Sequence, residues 1–350
     1  MSLSILELIS KLTAVHGPSG DEGAVREVIA ELAKPFADEI TSDVMGNLVV
    51  HKKGSGPKIM FAAHMDSIGL IVTHIDKEGF LRVGKLGDVS LKEALGTPVR
   101  FKNGVCGVLA AEEKAESKPK LEECYVDIGA KDEAQARSMV QVGDTAVYHT
   151  TMTELNGRVM SPYLDDRSAC AILLKTLEQA GDCENDLYFV FTVQEEVGTR
   201  GAKTAAWSVE PDYAIAVDVT DVDDTPGAAR YGTCKLGCGA GIKVMDHSVI
   251  CHPEVVDALE RCARDKGIAV QRDILRAGGT DAGPIHVSRT GVRTGGISIP
   301  CRYVHTPAEI ADLNDCAACV ELAVAFARSQ MTAVVLGVGA NLLVWFSDVV

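Results

Sequence analysis

Two adjacent carboxylates, Glu195 and Glu196, follow the apolar, β-branched run Tyr188 to Val193 and precede a Gly-containing turn. Successive side chains on an extended segment point to opposite sides, so two such residues do not do the same job. One is suited to hold a metal and the other to handle a proton. Other metal-competent side chains stand elsewhere in the chain: His64 and Asp66, Asp165 and Asp166, Asp218, and His305. A mixed histidine and carboxylate set without thiolate suits zinc, cobalt or manganese rather than a redox cluster. Five separate strand ends or loops fit a centre in which two divalent ions share a bridging carboxylate. Taken singly, each residue has a commoner use: a Glu-Glu pair is a solvated turn, a lone His a core or surface residue, an Asp-Asp pair a turn or helix cap. Those uses lose force jointly.

The elements that must position these groups follow from hydrophobic periodicity. Tyr188–Val193 reads as a buried strand with carboxylates at its C-terminal end, where open α/β sheets place their active sites. Lys58–Ala63, ending at His64-Met-Asp66, and Asp212–Val219, which carries Asp218, read the same way. Residues 3–16 and 21–34 show helical periodicity, with Asp21 offering an N-cap to the second. Further helical runs cover Ala169 to Glu178, 253–266 and Asp312 to Arg328. Gly295–Pro300 reads as a strand edge. Between Gly69 and Arg158 the texture changes to short alternating strands punctuated by glycines, which predicts a small all-β module inserted into the α/β part. The fold class is therefore α/β, with the chain divided as 1–68 and 160–350 for the catalytic part and 69–159 for the insert.

Composition narrows the function. A formal net charge of -15 over 350 residues argues against a nucleic-acid or anionic-membrane surface, which would need a basic patch. The N-terminus lacks a basic segment and a small-residue cleavage site, and a cytoplasmic location is expected. Eleven cysteines scattered through apolar runs read as reduced thiols. The pairs Cys234/Cys238 and Cys316/Cys319 lack a flanking His or Cys at finger spacing, which disfavours a structural zinc site. The apolar tail from Met331 to Phe346 is interrupted by Gly337, Gly339 and Asn341 and reads as a packed strand or helix.

The segments HGPSGDEGAVREVI, FAAHMDSIGLIV, SPYLDDRSAC, QEEVGTRGA, AIAVDVT, GGTDAGPIH and YVHTPAE occur in this order. Together they make the chain resemble the TET-type dinuclear metallo-aminopeptidases, a family also met under the names glutamyl aminopeptidase and endoglucanase M. The resemblance implies a zinc-peptidase-like mixed sheet flanked by helices, a small inserted β-barrel-like dimerisation domain, and assembly to a dodecamer. It gives one metal to His64 and Asp218, the other to Glu196 and His305, and the bridge to Asp165. Two divalent ions per subunit are expected, zinc before cobalt or manganese. Asp66 falls at the carboxylate that orients the ligand histidine, and Glu195 at the general base. The Asp165-Asp166 bond falls at a non-proline cis peptide. The chain departs from the pattern at Ala169 and Thr199, neither of them a ligand position.

The activity so implied is removal of N-terminal residues from short peptides with a free amine. Two rivals are an endoglucanase-type glycoside hydrolase and a catalytically silent scaffold. A glycosidase needs two carboxyls and usually an aromatic cleft, whereas aromatics make up 5% of this chain. The full set of candidate ligands argues against a silent scaffold. Backbone donors of Gly278–Gly283 are candidates for the substrate pocket, although a tight turn explains the glycines equally well. Arg200, Lys203, Arg230 and Arg272 are the basic candidates for pairing an acidic N-terminal side chain, against the usual surface role of such residues.

Overall fold

The computed structural model describes residues 3–114, 119–228 and 232–331. The tail read above as packed structure lies outside the described residues beyond Met331, as does Arg230. Among the described residues no helix is long and apolar enough to cross a membrane.

The near-continuous apolar runs become strands buried on both faces, as expected where helices cover a sheet on either side. Four of them, Asp186–Thr192, Lys58–His64, Tyr213–Asp221 and Arg293–Arg302, lie side by side in that order and parallel. Their C-terminal ends therefore open on one edge. Leu48–Lys52 and Glu39–Ser42 extend the sheet antiparallel at one side, and Glu309–Asp312, Arg158–Ser161 and Thr153–Leu155 at the other. Ala240–Met245 branches from Arg293–Arg302 and pairs with Val270–Ile274.

Alternation along the strands sorts side chains between two layers. Ile59, Phe61 and Ala63 pack in the larger core with Phe189, Leu173 and Phe326, beneath the helices Leu164–Ala180 and Leu313–Ala327. Met60 and Ala62 face the other way, against Ala202 and Ala205 of the helix Arg200–Val209. Phe61 and Phe189 stack at 5.4 Å, and Phe326 meets Phe61 edge-on at 6.3 Å. Ring pairs of this kind add about 0.5–1.5 kcal/mol beyond the area they bury. The large core thus holds the sheet edge rigid from behind.

The expectation for Gly295–Pro300 needs correction, because Arg293–Arg302 is an interior strand, paired on both sides. Its glycines disguise it in the sequence. A Cβ on Gly295 would lie 2.5 Å from Val255 Cγ1, and one on Gly296 would lie 3.0 Å from Lys243 Cβ. The residues are small because neighbours cross closely there, not because the strand ends.

Six strands, Gly69–Ile75, Leu81–Leu86, Cys124–Asp127, Cys106–Ala111, Pro98–Phe101 and Thr145–Tyr148, close into an antiparallel barrel in that order. Closure removes free edges, and the barrel has its own apolar core around Leu81, Phe101, Leu109 and Val126. The chain leaves the large sheet just after His64 and returns just before Asp165. The strand Thr153–Leu155 and the first half of Arg158–Ser161, which the sequence division puts in the insert, pair into the large sheet. The Tyr148 backbone N–H donates to the Tyr163 hydroxyl oxygen, tying the barrel's last strand to the segment that carries Asp165.

Candidate metal centre

All the sequence-derived candidates meet at the C-terminal edge of the parallel strands. His64 ends its strand opposite Thr192, whose chain continues into Glu195 and Glu196. Asp218 lies three residues before the end of the next strand. Asp165 and Asp166 sit at the start of the helix Leu164–Ala180, joined by a cis peptide bond. His305 lies in the connection between Arg293–Arg302 and Glu309–Asp312, held in the left-handed region at φ 63. A non-glycine residue there carries backbone strain, which surrounding contacts must hold.

Asp165 is the hub. Its Oδ1 is 2.9 Å from His64 Nε2, and its Oδ2 is 3.2 Å from His305 Nε2. Glu196 Oε2 also lies 3.2 Å from His305 Nε2, and Asp218 Oδ1 lies 3.9 Å from His64 Nε2. Donor atoms of His64, Asp165 and Glu196 fall within 4.8 Å of one another, and so do those of His64, Asp166 and Asp218. Asp166 thus stands nearer the cluster than its sequence position after Asp165 suggested. Its Oδ2 accepts the His64 backbone N–H at 3.2 Å, which leaves its Oδ1 buried without a hydrogen bond.

The residues fit a divalent cation on two grounds. The set is histidine nitrogen and carboxylate oxygen, which suits zinc, cobalt or manganese. Glu196 Oε1 and Asp166 Oδ1 are both buried with no hydrogen-bond partner, an arrangement that costs about 1–3 kcal/mol per group unless something pairs with it. The charges of the cluster bear on one another. Burial would lower the basicity of His305, but its bonds to Asp165 and Glu196 hold it up to about 12. Burial would raise Asp165, yet His305 and then His64 hold its carboxyl well below the usual range.

Glu195 is different in kind. Burial pushes its carboxyl well above the ordinary range; His64 opposes this, and the charges of Asp218, Asp281 and Glu196 add to it. A buried carboxyl that stands outside the closely spaced metal-competent groups is a candidate proton acceptor. Its backbone N–H donates to Asp66 Oδ1 at 3.0 Å, and that of Glu196 donates to Asp66 Oδ2 at 3.2 Å. Asp66 also accepts from Ser19 Oγ at 2.6 Å, and its Oδ1 lies 3.5 Å from His64 Nδ1. One buried carboxylate therefore fixes both the histidine ring and the glutamate turn.

Several positioning residues escaped the sequence reading. Glu309 is buried and accepts the backbone N–H groups of Asp165 at 3.0 Å and His305 at 2.9 Å, joining two segments of the cluster. The buried Arg167 guanidinium donates to the carbonyls of Leu12, Val15 and Gly17 at 2.7, 3.3 and 2.9 Å, anchoring the Asp165 segment to the N-terminal turn. Asp281 accepts from Thr192 Oγ1 at 2.5 Å, directly under the Glu195 strand. Only the spacing from His305 to Glu309 within YVHTPAE signalled the first of these.

The cluster floors a cleft of about 460 Å³, to which Thr199, Val219, Leu275, Val304 and Gly278 contribute walls. No Phe, Tyr or Trp lines it among the described residues. Arg200 points instead to Gln194 Oε1 at 3.1 Å, and Arg272 to Glu260 Oε1 at 2.6 Å.

Comparison with known proteins bears on this geometry. A model of M42 glutamyl aminopeptidase matches residues 46–322. A lysyl aminopeptidase of Pyrococcus furiosus is 36% identical over 332 residues, spanning 91% of this chain and 95% of its own. The aminopeptidase APDkam598 of the archaeon Desulfurococcus kamchatkensis is 41% identical with a TM-score of 0.90, covering 93% of this chain and 95% of its own. The TET1 peptidase of Pyrococcus horikoshii, which can assemble into a tetrahedron or a large octahedral shell, is 33% identical with a TM-score of 0.86, covering 93% of this chain and all of its own.

Proposed function

Because the chain belongs to the M42 glutamyl aminopeptidase family and is a metal-dependent aminopeptidase, we propose that its centre takes two divalent ions and shortens peptides one residue at a time. One ion would be held by His64 and Asp218 and the other by Glu196 and His305, with Asp165 shared. The observation that carries this reading is that the two oxygens of Asp165 each face a different histidine, at 2.9 and 3.2 Å. Zinc is the first candidate, then cobalt or manganese. When bound, the ions would supply Lewis-acid polarisation of the scissile carbonyl and a water that loses its proton near neutral pH.

The chain's own groups do the rest. Glu195 takes the proton of the attacking water and returns it to the leaving amine. Asp66 keeps His64 and the Glu195-Glu196 turn in register, as groups behind metal ligands do. The substrate's free α-amine fits beside the carboxylates of the cleft floor, where an acetylated amine could neither coordinate nor carry charge. The expected result is stepwise shortening of a free peptide from its N-terminus, followed by mass spectrometry, with no cleavage of its N-acetylated form. Chelation should abolish the reaction, and zinc, cobalt or manganese should restore it. Internal cleavage of the acetylated peptide, or hydrolysis of a β-glucan by chelated protein, would sink the reading.

The insert, read from the sequence as 69–159 and carrying a barrel whose strands run from Gly69 to Tyr148, is proposed as a self-association domain, with a dodecamer as the assembly. Its closed sheet and separate core support a module. The assembly behaviour of the TET1 relative supports the role. Light scattering across micromolar concentrations should find a species larger than a monomer; a monomer throughout would refute the role. A cytoplasmic site of action is part of the same proposal, supported by eleven free thiols.

A further inference from the structure

We propose that Glu22 is a positioning residue for the proton-handling carboxylate: it holds the backbone of Gln194 in the turn that brings Glu195 to the cleft. The role rests on the aminopeptidase reading, with Glu195 as the base. The strand Asp186–Thr192 ends just before this turn, and the backbone N–H groups that follow pair with side chains from the N-terminal part of the chain. Val193 donates to Asn47 Oδ1 at 3.0 Å, Gln194 to Glu22 Oε1 at 3.1 Å, and Glu195 and Glu196 to the two oxygens of Asp66 at 3.0 and 3.2 Å. Buried backbone groups must be paired, and here no ladder pairs them. The side chains that take these N–H groups therefore set the path of the turn.

Gln194 is where that path bends. It is held in the left-handed region at φ 55, which a non-glycine residue keeps only under constraint from its surroundings. Its carbonyl accepts the Arg200 N–H at 3.2 Å, and its side-chain oxygen accepts from Arg200 Nη1 at 3.1 Å. Its own N–H is left to Glu22. Without that bond Gln194 can relax toward extended backbone, and a rotation there swings the side chain that follows. Asp66 takes the N–H groups of Glu195 and Glu196 but not that of Gln194. Asp66 thus fixes the metal-facing Glu196, and Glu22 fixes the bend that precedes the base.

The commoner use of an acidic residue at a helix start is to cap that helix. Glu22 stands at the N-cap position of Gly23–Ala33, where the sequence pointed to Asp21, yet its side chain bonds no N–H of that helix. It turns instead toward Gln194, and its Oε1 also accepts the Gly20 N–H at 2.7 Å. The residue is only 6% exposed. The turn before it is fastened at several points: Gly17 to Ser67 and the Arg167 guanidinium, Ser19 to Ser67 and Asp66, and Asp21 to Thr145 and Lys102 of the barrel. Glu22 lines no part of the cleft and belongs to neither group of closely spaced metal-competent atoms. It acts through Glu195 rather than on substrate or metal.

The test is a double-mutant cycle on metal-loaded protein, with whichever of the leucyl, lysyl and glutamyl p-nitroanilides wild type turns over fastest. Glu22→Met keeps the side chain's length and removes the acceptor. It should lower kcat by about ten- to a hundredfold, the order of a base displaced by about 1 Å, with KM and metal per chain at wild-type values. Glu22→Gln retains an acceptor oxygen and should recover most of that loss. In a Glu195→Gln background no base remains to be aimed, so adding Glu22→Met should move the residual rate by less than about twofold. Glu22→Asp, a methylene too short to reach Gln194, should repeat the pattern, and it carries the test if the methionine variant does not fold. Equal losses in both backgrounds would make Glu22 a structural residue and overturn the inference. So would unchanged kcat, depletion of metal, or a glutamine variant no better than the methionine one. Undiminished kcat in Glu195→Gln itself would remove the base on which the role depends. Hydrolysis of none of the three substrates by wild type would take down the aminopeptidase reading, and this inference with it.

Discussion

Replacing Glu195 with Gln is expected to lower kcat by about 10²–10⁴, the usual value of a general base, while bound metal stays at the wild-type level. The substitution is nearly isosteric and removes only the capacity to accept a proton. Glu195 belongs to neither group of closely spaced metal-competent atoms, and the bond that positions it comes from its backbone N–H to Asp66 Oδ1 at 3.0 Å. That bond survives a change of side chain, so the turn and the neighbouring Glu196 should hold their places. Burial raises its carboxyl above the ordinary range, and no metal-competent group among the described residues includes it, so the side chain is left to handle a proton. Steady-state kinetics and metal analysis on the same sample decide the matter. Undiminished kcat would end the assignment, and parallel loss of metal would show Glu195 to be a ligand.

What the sequence made legible was the chemistry that strand ends advertise. His64, Glu195, Glu196 and Asp218 each follow or end a run whose apolar continuity is a direct consequence of burial on two faces, so their convergence on one edge was readable before any coordinates. His305 and Asp165 were candidates by residue type, but their ligand roles needed the ordered motifs, since neither directly follows a strand that periodicity reveals. The supporting groups were beyond reach for a different reason. Glu309 and Arg167 act on backbone atoms of segments distant in the chain, and a side chain that bonds to a remote N–H or carbonyl leaves no local pattern. Arg293–Arg302 was misread as an edge because its glycines answer to Val255 and Lys243, contacts that exist only after folding. Two of the basic residues considered for substrate binding went the same way: a charge in sequence says nothing of which way it points, and Arg200 turns to Gln194 and Arg272 to Glu260.

Asp165→Asn is expected to act in the opposite order from Glu195→Gln, losing metal before anything else changes. An amide offers one oxygen where the carboxylate offers two, and its nitrogen is a donor that cannot coordinate a cation. In the wild type both oxygens are in use, Oδ1 toward His64 and Oδ2 toward His305, so one of the two positions must lose its partner whichever way the amide turns. The backbone around it should hold, because the Asp165 N–H remains bonded to Glu309 Oε2 at 3.0 Å and the guanidinium of Arg167, two residues on, still bonds to the carbonyls of Leu12 and Gly17. Loss of a group that merely orients a ligand typically costs about 10–100-fold in metal affinity, and a shared ligand should cost at least that. Dialysis against buffered free zinc, with metal counted per chain, should show depletion at concentrations that saturate the wild type. Part of the activity should return when free metal is raised, which distinguishes weakened binding from a damaged fold. Full occupancy at the wild-type zinc concentration would remove Asp165 from the shared position, and with it the case for two ions held around one carboxylate.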